Sequence, residues 1–208
     1  MTKIVRLTVE RDEFADCPSE YDGWKLYSFN RRHINYRDLD TLFEHVDADG
    51  TVFPRNIGLS RMLNVGTAFI VSCYEHSGSV WGLRGEVFQC QWDTAQLAGI
   101  LIWEDKVDNL CPKPYKDADA VKRAVLRYQD REEDARQFLK LYTQWVNGEN
   151  YNVVVEDEDG ETQSTGGYTG SDNLKAELKA EFPEVFEADG KTIKSEIEID
   201  GEMKEVLT

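Results

Sequence analysis

His76, Cys90 and Asp93 fall inside one short stretch, EHSGSVWGLRGEVFQCQWDTAQ at residues 75–96, and Gln96 closes it. These residue types would suit a thiol nucleophile: a His within hydrogen-bond reach takes the Cys proton, and a carboxylate or amide orients the imidazole. If residues 67–76 and 86–92 were neighbouring antiparallel strands, His76 and Cys90 would share a face, with Asp93 or Gln96 near one end. Alternation argues the other way. In VFQCQW it places Phe88, Cys90 and Trp92 on a single face, so the thiol is expected to point into an apolar core and to be inert there. No catalytic residue is therefore assigned; His76, Cys90, Asp93 and Gln96 are the candidates if the chain is a Cys-dependent hydrolase or transferase.

Other chemistry is sparse. There is no Walker loop, no Gly-x-Gly-x-x-Gly after a strand, no Gly-x-Ser-x-Gly elbow and no His-Glu-x-x-His helix. The acidic turns DADG (47–50) and DEDG (157–160) are not calcium loops, because a glycine at the sixth position puts His45 or Val155 first and Asn56 or Gly166 twelfth. They are expected to be turns in which Gly supplies positive φ. Cys17, Cys73, Cys90 and Cys111 are widely spaced, with no Cys-x-x-Cys pair, so they are expected to be reduced, Cys73 and Cys90 as small buried apolar residues. Arg31, Arg32 and His33 are the compact basic cluster, expected to be salt-bridging surface arginines rather than an anion site. No metal ligand set and no cofactor are expected.

The elements that must position these residues give an α+β chain, mainly antiparallel sheet packed on one long helix. Strands are expected at 3–10, 24–29, 67–76 and 98–105, the last two as continuous apolar runs suited to a sheet interior. Leu39, Leu42, Phe43 and Val46 have helical spacing, predicting a helix over 35–46 capped by Asn35 and ended by DADG; a short helix or turn is expected through 54–66. Residues 117–147 predict the long helix, with Val121, Val125, Tyr128, Ala135, Phe138, Tyr142 and Trp145 on one face, Asp117 or Asp119 at its start and Gly148 at its end. After it come a hairpin about Asp159-Gly160, a short helix over 172–182 capped by Ser171 or Asp172 and stopped by Pro183, and a terminal hairpin turning at Asp200-Gly201. Residues 1–150 are expected to form the core and residues 151–208 an acidic C-terminal subdomain.

Charge is the strongest compositional signal. The chain carries 40 acidic and 24 basic residues, net -16, and residues 151–208 hold 16 acids against 5 bases. Such a surface repels nucleic acid and steers basic surfaces toward it. The candidate binding acids are Glu156, Asp157, Glu158, Asp159 and Glu161 of the hairpin, Glu177, Glu181 and Glu184 of the helical segment, and the row Glu196, Glu198, Asp200 and Glu202. Lys175, Lys179 and Lys194 interrupt them. With no apolar run of signal or membrane-spanning length, a cytoplasmic protein is expected, with neither membrane nor nucleic acid as direct partner.

EHSG followed by FQCQWDTAQLAGILI resembles a signature of small proteins encoded by bacteriophages and related mobile elements: acidic-His-Ser-Gly, then Phe-x-Cys-x-Trp-Asp, then Gln ahead of an apolar strand. CPSEYDGWKLYSFNRRH, WVNGENYNVVVEDEDGE and GGYTG are also similar, so the resemblance spans most of residues 1–180. Glu75 stands where the pattern has Asp, and Thr94-Ala95 where it has Ser-Gly. The resemblance implies a phage origin and no particular activity. It makes an anti-defence protein, anti-restriction or anti-CRISPR, the leading expectation: an acidic inhibitor of a host defence or nucleic-acid-binding protein, with carboxylates standing in for phosphates. The alternatives are the Cys90 and His76 enzyme above and an accessory phage protein without inhibitory role.

Overall fold

The computed structural model describes residues 3–110, 115, 118–189, 192–195 and 197–200. In chain order its elements are β1 (Ile4–Arg11), α1 (Pro18–Tyr21), β2 (Trp24–Ser28), β3 (Phe43–Val46), β4 (Val52–Pro54), α2 (Ile57–Val65), β5 (Ala68–Glu75), β6 (Ser79–Leu83), β7 (Thr94–Trp103), α3 (Val107–Leu110), α4 (Ala120–Val146), β8 (Asn150–Asp157), β9 (Thr162–Thr169), α5 (Ser171–Glu181) and β10 (Glu198–Asp200). Helices and largely antiparallel sheets make the class α+β. Two compact units result: residues 1–16 with 144–208, and residues 17–143.

The first unit is a sheet of order β10-β1-β8-β9. Antiparallel register sets Leu7 opposite Val155 and Val9 opposite Val153, so alternation in both strands delivers four buried side chains to one face. Leu174 and Leu178 of α5, with Phe182, Val185, Phe186 and Ile197, complete that core. The hairpin between β8 and β9 turns as expected: Asp157 Oδ1 accepts from the N–H groups of Asp159 and Glu161, and Gly160 has φ 78°. Here the expected boundary at residue 150 is corrected, because β1 takes its partners from β8 and from β10, far along the chain. The expected caps of α5 are corrected too. Gly170, φ 85°, precedes the helix with no side-chain cap, and Ser171 and Asp172 lie inside its first turn. Glu198–Asp200 runs parallel to β1; the turn and return strand of the expected terminal hairpin lie outside the described residues.

The second unit centres on a sheet of order β2-β7-β5-β6, antiparallel throughout. One face meets α4 through Arg131, Ala135, Phe138, Leu139 and Tyr142, all buried at helical spacing. Phe69 meets Tyr128 edge to face at 5.7 Å and Trp81 meets Tyr142 at 6.1 Å. At the start of α4 the expected apolar face fails: Val121 and Val125 are exposed. Asp119 Oδ1 accepts the Lys122 N–H there; Asp117 lies outside the described residues. Asn56 caps α2, its Oδ1 accepting the Leu59 N–H at 2.8 Å. Asn56→Ala is expected to lower stability by about 1 kcal/mol, seen as a reduced denaturant midpoint at unchanged slope; an unmoved midpoint would show the cap to be dispensable.

One expected element is replaced, and one conditional strand is absent. Residues 35–46 form no helix but a 3-10 turn, Leu39–Thr41, followed by β3, which pairs with β4 across DADG. The turn is a hairpin turn, with the Gly50 N–H bonded to Asp47 O and Gly50 at φ 81°. Asn35 caps nothing; its side-chain amide donates to Leu26 O at 2.6 Å. Residues 86–92 form no strand. The Thr94 hydroxyl accepts from the Cys90 N–H and donates to Phe88 O, which winds the segment into a turn and leaves Phe88 69% and Trp92 86% exposed.

Candidate functional site

That turn decides the fate of the Cys90 constellation. Cys90 is partly exposed instead of buried, and Asp93 Oδ2 sits 3.5 Å from Cys90 Sγ and 3.4 Å from His76 Nδ1. Sequence reading thus named three residues that do come together, but the carboxylate stands between the other two. The thiol points its proton at Asp93, no hydrogen bond joins it to the imidazole, and a thiolate–imidazolium pair has no geometry to form in. Gln96 turns instead to the Gln89 side chain.

A second constellation, unanticipated in sequence, lies in the same unit. His33 Nδ1 is 2.7 Å from Ser28 Oγ and His33 Nε2 is 2.8 Å from Glu75 Oε1. Ser28 ends β2, the loop after it returns His33 onto the sheet against Trp81 at 5.5 Å, and Glu75 ends β5. Both ring nitrogens are therefore engaged, and Ser28 Oγ also accepts from the Asn30 N–H and lies 3.5 Å from Ala98 O. The chemistry is Ser-His-acid in type, yet Ser28 is fully buried, so its oxygen meets no substrate and anchors the imidazole.

Beside His33 lies a cavity of about 260 Å³ lined by Phe29, Asn30, His33, Cys73, Glu75, Ala95, Leu97 and Ala98. Its floor is an irregularity in β7. Val71 pairs with Gly99 and Cys73 with Ala95, so Ser72 alone faces residues 96–98, a bulge across which the Ser72 hydroxyl donates to Gln96 O at 3.2 Å. Burial pushes the Cys73 thiol up to about 12, the Glu75 charge adding to the shift, so it stays protonated at neutral pH. The neighbouring arginines are not the salt-bridged pair expected. Arg31 Nε donates to Tyr36 Oη at 3.3 Å, its guanidinium lying 5.9 Å from that ring, and among the described residues neither Arg31 nor Arg32 meets a carboxylate.

The acids concentrate in the first unit, whose 81 residues carry 21 acidic and 8 basic side chains, leaving the second unit only -3. They are not equivalent. Arg6 bridges Glu156 and Glu198, each at 3.1 Å, and Glu181 accepts the Tyr168 hydroxyl at 2.7 Å. Asp157 is occupied with its turn. Glu158, Asp159, Glu161, Glu177 and Glu184 are exposed, with no cation beside them among the described residues. Glu196, Glu202 and the Asp200 side chain lie outside the described residues.

Among the described residues no group of three His, Cys, Asp or Glu is placed to hold a metal ion, and no helix is long and apolar enough to cross a membrane. Compared with family models, curated proteins and solved structures, the chain matches none.

Proposed function

We propose that this chain is a phage-encoded, non-enzymatic interaction protein that binds and inhibits a host defence or nucleic-acid-binding protein in the host cytoplasm, by offering its basic groove carboxylates in place of phosphates. The observation that supports this reading is the partition of charge: a net of -13 gathered on the first unit, with Glu158, Asp159, Glu161, Glu177 and Glu184 exposed and without a cation beside them among the described residues. A surface of that sign accelerates encounter with a basic partner and competes for the Lys and Arg side chains that would otherwise contact phosphates. Glu156 and Glu198 share Arg6, which offsets one of their two charges, so the pair contributes less to the outward field than two free carboxylates.

The test is inhibition of host restriction nucleases and CRISPR effector complexes across a salt series. Inhibition is expected to weaken about tenfold or more between roughly 0.05 and 0.5 M NaCl, as the screening length shortens. Converting Glu158, Asp159, Glu161, Glu177 and Glu184 to their amides is expected to abolish it. Inhibition indifferent to both salt and these substitutions overturns the electrostatic reading.

A further inference from the structure

The cavity beside His33 belongs to the second unit and plays no part in the acidic surface. We propose that it binds a small organic cation, a primary ammonium on a short apolar stem, with Glu75 as counter-charge and His33 as the residue that positions it. The charge of the cavity selects the ligand. Glu75 is its one carboxylate, no Lys or Arg lines it, and His33, anchored on Ser28, occupies one Glu75 oxygen. One Glu75 oxygen takes Nε2–H; the carboxylate keeps further acceptor sites, and its side chain is 42% exposed. An ammonium with three donors fits those sites, whereas an anion would meet the same charge as repulsion.

The walls select the stem. Phe29, Ala95, Leu97 and Ala98 are apolar, and the Cys73 thiol, held protonated by burial, adds no charge. The volume, about 260 Å³, falls below the ~300–1,000 Å³ of drug-sized sites, which fits a short alkyl chain. The site is also built rather than incidental. The bulged segment of β7 supplies Ala95, Leu97 and Ala98 to the lining, and the Ser28, Trp81 and Glu75 contacts fix the imidazole from three sides.

The experiment is a titration of butylammonium chloride into the full chain, followed by amide chemical shifts. Expected are saturable shifts confined to residues 29–33, 73–75 and 95–98, with a Kd on the order of 1 mM, and none from sodium butyrate at equal ionic strength. Glu75→Gln is expected to weaken binding at least tenfold and His33→Gln severalfold. Ala95→Leu, which fills the cavity and leaves Glu75 in place, is expected to abolish it. Absence of saturable shifts in the unaltered chain, equal response to butyrate, or undiminished binding by Glu75→Gln or Ala95→Leu overturns the proposal.

Discussion

Trp24→Ala is expected to lower the stability of the second unit by about 4 kcal/mol, the loss typical of a large aromatic removed from a packed interior. Trp24 is fully buried, wedged against Phe69 at 5.9 Å and against Trp103 at 5.3 Å. Its Nε1–H donates to Asp134 Oδ2 at 2.8 Å, which ties β2 to α4. Truncation removes the ring from both stacks and leaves the Asp134 carboxylate without its donor, so cavity and desolvation costs add. Burial already pushes the Asp22 carboxyl up, the Asp134 charge adding to the shift, and an unpartnered Asp134 would sharpen that repulsion. Thermal melts followed by circular dichroism should show a fall of roughly 10 to 20 °C. Trp24→Phe separates the contributions: it keeps most of the ring and drops the donor, so its loss should be less than half as large. A Trp24→Ala chain within about 1 kcal/mol of the parent would show that this junction does not hold the unit together.

Stability is expected to fall steeply with alkali, and Cys73 is the principal cause. Its thiol has the ordinary cysteine value, 9.0, in the unfolded chain and is pushed up to about 12 in the fold, first by burial and then by the Glu75 charge. Between those values the unfolded chain loses the proton while the folded one keeps it, so the contribution is fully present below pH 9 and vanishes as pH rises toward 12. The Tyr142 hydroxyl, raised first by burial and then by the charges of Cys17 and Cys73, acts in the same direction. Denaturant midpoints measured from pH 7 to 11 should therefore drop, and Cys73→Ala, less stable at pH 7, should drop less. Parallel pH profiles for the two chains would exclude Cys73 as the source.

Local pattern was enough where one segment decides its own state. Residues 67–76 became β5, the apolar run at 98–105 became the C-terminal part of β7 (Thr94–Trp103), DEDG became the hairpin turn between β8 and β9, and the long helix expected over 117–147 runs from Ala120 to Val146. Pattern failed where a distant partner decides. Leu39, Leu42, Phe43 and Val46 are spaced for a helix, but pairing of Phe43–Val46 with Val52–Pro54 satisfies the same backbone as a hairpin. Phe88, Cys90 and Trp92 alternate as a strand would, yet one threonine hydroxyl, Thr94, takes up the hydrogen bonds a strand partner would need. The Ser28–His33–Glu75 constellation could not be read locally: His33 and Glu75 are 42 positions apart, and nothing in SFNRRH marks its histidine as bound for the end of another strand.

The pairing of β1 with β8 also sets a timetable for synthesis. Everything the second unit needs lies within Cys17–Thr143, so it is complete once that stretch has left the ribosome. β1 emerges earlier and waits: Arg11, its last residue, precedes Asn150, the first of β8, by an interval that translation at ~5–20 residues per second covers in roughly 7 to 28 s. During that interval Leu7 and Val9 belong to a nascent strand with neither neighbour made. The segment most exposed to chaperones and to mispairing during that interval is therefore β1, although in the finished fold it is an interior strand of its sheet.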